Sequence, residues 1–179
     1  MHKTIGLLLL LLAASVPAAS APIKTMTRVD RPIATELFVS VGDLMVRIEV
    51  RESLPNAFGG ADIFGRTRDR GFSELRYIGV DAGFPVFRRR DVDIITNETT
   101  VNRPGTGSAV VNVPPPNSGL PITGIITRPH APNIQALPPD TIEFGLDLSK
   151  SRVLTIRDRT VEIIEATGAG VRYRVLAGS

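Results

Sequence analysis

The stretch Leu44-Met45-Val46-Arg47-Ile48-Glu49-Val50-Arg51 decides the fold class. Leu44, Val46, Ile48 and Val50 alternate with Met45, Arg47, Glu49 and Arg51, which gives a strand one apolar face and one largely charged face. Upstream, Ile33 to Val41 is rich in β-formers and is set off by Gly42-Asp43, so the two stretches read as a hairpin with a tight turn.

The C-terminal third repeats the pattern. Ile142, Phe144, Leu146 and Leu148 alternate with Thr141, Glu143, Gly145 and Asp147; Leu154 and Ile156, then Val161 and Ile163, then Val171, Tyr173 and Val175 follow. Four short strands with turn signals between them read as an antiparallel meander. Two weaker strands are expected at Glu74 to Val80 and Val86 to Thr96, and no window offers a capped apolar helix. The expected fold is all-β: a single-domain antiparallel β-sandwich or partly open β-barrel, spanning 30–179. Its core is expected to hold Leu44, Val46, Ile48, Val50, Phe144, Leu146, Ile156, Ile163, Tyr173 and Val175.

Asn102 to Asp140 has another texture, with most of the chain's 14 prolines among Gly, Asn and Ser. Proline removes ladder donors and favours extended or looped backbone, so 102–140 reads as a long Pro/Gly-rich excursion from the β domain. Ser108 to Val113 and Ile122 to Thr127 are the islands within it that could form short edge strands.

The first segment has the three-part layout of a secretory signal: Lys3, the apolar run Ile5 to Ala14, then small residues to Ala21. That run is too short to span a bilayer as a helix, so no permanent membrane anchor is expected. Residues 1–18 are read as a signal peptide, with cleavage after Ala18, or as late as Ala21, where the following Pro22 is a poor neighbour for a peptidase site. The product is expected to be exported, periplasmic or secreted.

The 179 residues carry no Cys and two His, which removes Cys-based zinc sites, disulfides and Cys nucleophiles. Lys and Arg number 21 against 18 Asp and Glu, and all but Lys3, Lys24 and Lys150 of the basic residues are arginines. A charge of +3, seven Phe, two Tyr and no Trp make a poor nucleic-acid platform, and no nucleic-acid partner is expected. The same scarcity of aromatics weakens a small outer-membrane β-barrel, which needs interfacial girdles.

The densest polar constellation is Asn56 to Glu74, where Gly59, Gly60, Gly65 and Gly71 bracket Asp62, Arg66, Arg68, Asp69 and Arg70. In an extended segment Arg66, Arg68 and Arg70 would share one face, and their guanidinium groups would suit an anionic partner. These three are the candidate anion- or partner-binding residues. The plainer reading pairs them with Asp62, Asp69 and Glu74 across a solvated turn. Arg88-Arg89-Arg90 reads as charge that protects an edge strand, with a polyanion-binding stripe as the sharper alternative.

His130 sits between Pro129 and Pro132, and no Gly-x-Ser-x-Gly elbow accompanies it. Asp91/Asp93 and Glu162/Glu165 are carboxylate pairs that any acid-containing chain supplies, and Asn97-Glu98-Thr99 matches a glycosylation sequon. No catalytic, cofactor-binding or metal-binding residue is assigned. The expected function is a non-catalytic envelope module that binds a protein or an anionic surface polymer, with a small secreted hydrolase, carboxylate or Ser-His based, as the alternative from another class.

Overall fold

The structure, a computed structural model, describes residues 21–103 and 131–178. Ten strands run through them: β1 (Thr25–Val29), β2 (Glu36–Ser40), β3 (Leu44–Ser53), β4 (Thr67–Asp81), β5 (Phe84–Thr96), β6 (Ile134–Ala136), β7 (Asp140–Gly145), β8 (Val153–Ile156), β9 (Arg159–Ala166) and β10 (Gly170–Leu176). One sheet has the order β1-β3-β4-β5, with β6 and β7 side by side in sequence along the far edge of β5. The other has the order β2-β10-β9-β8. All pairings between named strands are antiparallel, and the two sheets do not close into a barrel. The protein is therefore all-β, with a sandwich architecture.

The core lies between the sheets. Val46, Ile48, Leu75, Tyr77 and Phe87 come from the larger sheet; Ile156, Val161, Ile163, Val171, Tyr173 and Val175 come from the smaller. Of the expected core, Leu44, Phe144 and Leu146 are only half-buried, while Met45, placed on the charged face by strict alternation, is buried beside Val46. The reason is a register shift between Leu44 and Val46 in the pairing with β4, which lets consecutive residues both face inward.

Three strand expectations change. The Gly42-Asp43 turn does not make a hairpin, because β2 pairs with β10 and β3 pairs with β1 and β4. Gly42, at φ +86°, instead hands the chain from one sheet to the other, its N–H donating to Tyr77 O at 2.7 Å. The C-terminal meander keeps β8, β9 and β10, but β7 lies against β5 in the larger sheet. Leu146 and Leu148, expected within that strand, belong to the crossover and pack against the core from its edge.

The two stretches read as weak strands are the longest, β4 at 15 residues and β5 at 13. Strand Arg88-Arg89-Arg90 is not an edge, since β5 has β4 on one side and β6 and β7 on the other. Sheet residues begin at Thr25, upstream of the expected boundary at 30, and within the excursion Ile134–Ala136 forms β6. His130, Ser108 to Val113 and Ile122 to Thr127 lie outside the described residues, as does the signal segment 1–18.

Candidate functional site

The connection from β3 to β4 is braced from within. Leu54, fully buried, donates to Arg66 O and accepts from Asp62 N, both at 2.8 Å, so the two stems are paired. Asn56 organises the tip: its Oδ1 accepts from Phe58 N at 2.9 Å and Gly60 N at 3.0 Å, and its Nδ2 donates to Ala61 O at 3.1 Å. Asn is suited to this because its short amide reaches its own backbone a few residues on. Gly59 and Gly65 take φ of +80° and +68°, conformations that side chains disfavour.

The three candidate arginines leave this loop in different ways. Arg66 precedes β4 and forms a fork with Asp62, Nε to Oδ2 at 2.9 Å and Nη2 to Oδ1 at 3.1 Å, while its guanidinium stays partly exposed 5.5 Å from the Phe64 ring. This pairing holds the Asp62 carboxyl down at about 2, chiefly through the Arg66 side chain, with burial acting against it and backbone N–H groups assisting. Arg68 is 13% exposed and is absorbed by the fold: Nε donates to Glu52 Oε2 at 2.7 Å, and Nη1 to the carbonyls of Thr96 at 3.2 Å and Glu98 at 2.9 Å. Arg70 lies 3.8 Å from the same Glu52 carboxylate and is partly exposed.

Asp69 and Glu74 are partners of other groups. Asp69 accepts from Gly71 N at 2.9 Å, and Glu74 pairs with Arg47 at 2.8 Å. Strand extension does not put the three guanidinium groups on one face, because Arg66 is outside β4 and the register slips between Val50 and Arg51, where Gly71 and Asp69 are the successive partners.

What the sequence reading overlooked is beside them. Phe58, Ile63 and Phe64 are 88%, 86% and 77% exposed at the tip of this braced loop. Isolated surface apolar residues are ordinary, whereas three large ones this exposed on one braced loop are not. The signal was present as large apolar residues between glycines with neither helical nor strand periodicity.

The other sequence features are tied into the sandwich. Ser73, fully buried, donates to Asp91 Oδ1 and accepts from Arg157 Nε at 2.7 Å; Arg157 also reaches Asp93 at 3.2 Å, and Arg89 pairs with Asp91 at 2.8 Å. Glu162 pairs with Arg174 and Glu165 with Arg172. Asn97 accepts from Asn133 N through its side chain, which ties 97–103 to the segment entering β6. Among the described residues no three His, Cys, Asp or Glu side chains are placed to hold a metal ion. Comparison with protein-family models, with curated proteins and with solved structures finds no match to this chain.

Proposed function

We propose that the protein is an exported, non-catalytic envelope module that binds another protein through the Asn56–Arg66 loop. The observation that carries this reading is the exposure of Phe58, Ile63 and Phe64 on a loop whose backbone is already held by Asn56 and Asp62. Fully burying each such side chain is favourable by about 1.5–3 kcal/mol. A loop ordered in advance loses little entropy on binding, so more of that gain appears as affinity. A charged polymer offers these side chains less apolar surface than a protein pocket does. Arg66, partly exposed 5.5 Å from the Phe64 ring, complements an acidic rim around that pocket. Export rests on the layout of residues 1–21, and cleavage after Ala18 keeps Ala21, whose carbonyl accepts from Ala61 N at 2.8 Å.

The test places a photo-cross-linking phenylalanine at 58 or 64, and at exposed Val153 as a control, in protein expressed in its own host. One envelope protein captured from both loop positions and not from 153, and lost when Ile63→Ser and Arg66→Gln are combined, is the expected result. Capture that does not differ between loop and control positions overturns the docking role. Intact mass of the envelope fraction is expected to begin at Ala19; a full-length cytoplasmic species overturns export.

A further inference from the structure

The outer face of the larger sheet carries a second surface, of opposite chemistry. Register lines up two rows across it: Arg47, Glu74, Arg90 and Thr141 are successive cross-strand partners, and Arg76, Arg88 and Glu143 form the next row. Arg76 and Arg88 are therefore directly opposed, an arrangement that destabilises a sheet unless anions intervene. Arg88 Nε donates to Glu143 at 2.6 Å, and Arg76 donates to Gly42 O at 3.4 Å. Arg90 has no carboxylate within ion-pair distance among the described residues; its guanidinium lies 5.9 Å from the Phe72 ring, whose face Arg47 already covers at 3.6 Å.

Glu74 stands among these arginines and is 5% exposed. Its Oε1 is held by Arg47, while its Oε2 is buried without a hydrogen-bond partner, with the Arg76 guanidinium 3.8 Å away. A buried carboxylate oxygen lacking a donor is costly and calls for one. Glu74, Arg76, Arg88, Arg90 and Glu143 line a groove of about 630 Å³, within the size range of small-molecule sites.

We propose that this groove binds an acidic saccharide, a hexose carrying a carboxylate or phosphate, whose anionic group meets Arg76, Arg88 and Arg90 and whose hydroxyl donates to Glu74 Oε2. The two requirements select the ligand together. The unpaired guanidinium asks for an anion, and the unbonded oxygen asks for a donor. An ammonium donor is disfavoured, since the three arginines of the groove outnumber its two carboxylates, Glu74 and Glu143; a hydroxyl brings no charge. This site shares no residue with the apolar loop and does not depend on the docking role assigned there.

Calorimetric titration of the purified protein with glucuronate, a glucuronate trisaccharide, glucose 6-phosphate, glucose and inorganic phosphate tests it. The acidic sugars are expected to bind at least about tenfold more tightly than glucose, which brings no anion, or inorganic phosphate, whose hydroxyls sit on the anionic phosphorus itself rather than across a sugar ring from it. A trisaccharide binding more tightly than the monosaccharide identifies a polymer as the source of this chemistry, and equal binding a free sugar acid. Arg90→Gln breaks no ion pair, so it is expected to weaken acidic-sugar binding about tenfold or more with an unchanged Tm. Glu74→Gln is expected to narrow the preference for acidic sugar over inorganic phosphate. Absence of acidic-sugar binding, inorganic phosphate binding as tightly as the sugars, or an unaltered affinity in Arg90→Gln overturns the proposal.

Discussion

At the residue scale, Asp62 is the brace of the apolar loop, accepting from the Arg66 backbone N–H at 3.1 Å and from its guanidinium through both oxygens. Its carboxyl falls from 3.8 to about 2 in the folded protein, first because of the Arg66 side chain. A depressed carboxyl contributes stability that is complete above its unfolded value and is lost as pH falls through the folded one. The expected outcome is a Tm difference between native protein and Asp62→Asn that is constant from about pH 7 to 5 and closes between about pH 4 and 2. A gap that survives at the acid end would assign the effect to lost shape rather than charge. The Asp62 and Arg66 pairing was legible because the two are neighbours within one turn. The attachment of Arg68 to Glu52, 16 residues away, was not, since it depends on strand register.

At the element scale, β4 depends on Gly71. It has φ +115°, and a Cβ there would overlap the Val92 carbonyl of β5. Gly71→Ala is expected to cost about 2 kcal/mol or more, combining backbone strain with forced movement of the neighbouring strand. Gly42, at φ +86° with open space around it, carries the strain alone, and Gly42→Ala is expected to cost about 1 kcal/mol. Urea midpoints measure both; equal shifts would show that β5 moves aside without penalty. The strand existed in the sequence only weakly because its alternation is broken by Arg68, Arg70 and Arg76: the first two meet Glu52 on β3, and Arg76 meets Glu74 within β4 itself. The turn at Gly42-Asp43 was legible as a reversal. Its destination was not, because alternation shows which face of β2 and β3 is apolar and leaves open whether those faces lie in one sheet or meet across the core.

At the scale of the molecule, two tyrosines fasten the sheets reciprocally. Tyr77 of β4 donates to Thr167 O at 2.7 Å beside the smaller sheet, and Tyr173 of β10 donates to Met45 O in the larger one. An antiparallel β-sandwich or partly open barrel was readable from many short alternating strands, yet the choice between them and this fastening were not, since the fastening joins residues 90 and 128 positions apart. Both hydroxyls are raised from the usual phenol value by burial, Tyr173 to about 12. A raised group contributes stability that is complete below its unfolded value near 10 and is lost as pH rises through the folded value. Each tyrosinate would also lose the proton donated across the sandwich, so ionisation and separation of the sheets are coupled. The chain has two Tyr and no Trp, which lets absorbance at about 295 nm report these two groups cleanly. The expected outcome is a tyrosinate absorbance that stays below the amplitude of two residues while the β-sheet circular dichroism persists, the Tyr173 share appearing together with loss of the sheet signal as pH approaches about 12. Tyr173→Phe is expected to lower stability at neutral pH by about 1 kcal/mol. Because Met45 O still accepts from Arg31 Nε at 3.0 Å in that variant, the carbonyl is not left bare, and a much larger loss would mean that the ring's packing had moved as well. A normal tyrosinate step with the sheets intact would show that water reaches a hydroxyl between them, and with it that the two sheets are not fastened in this way.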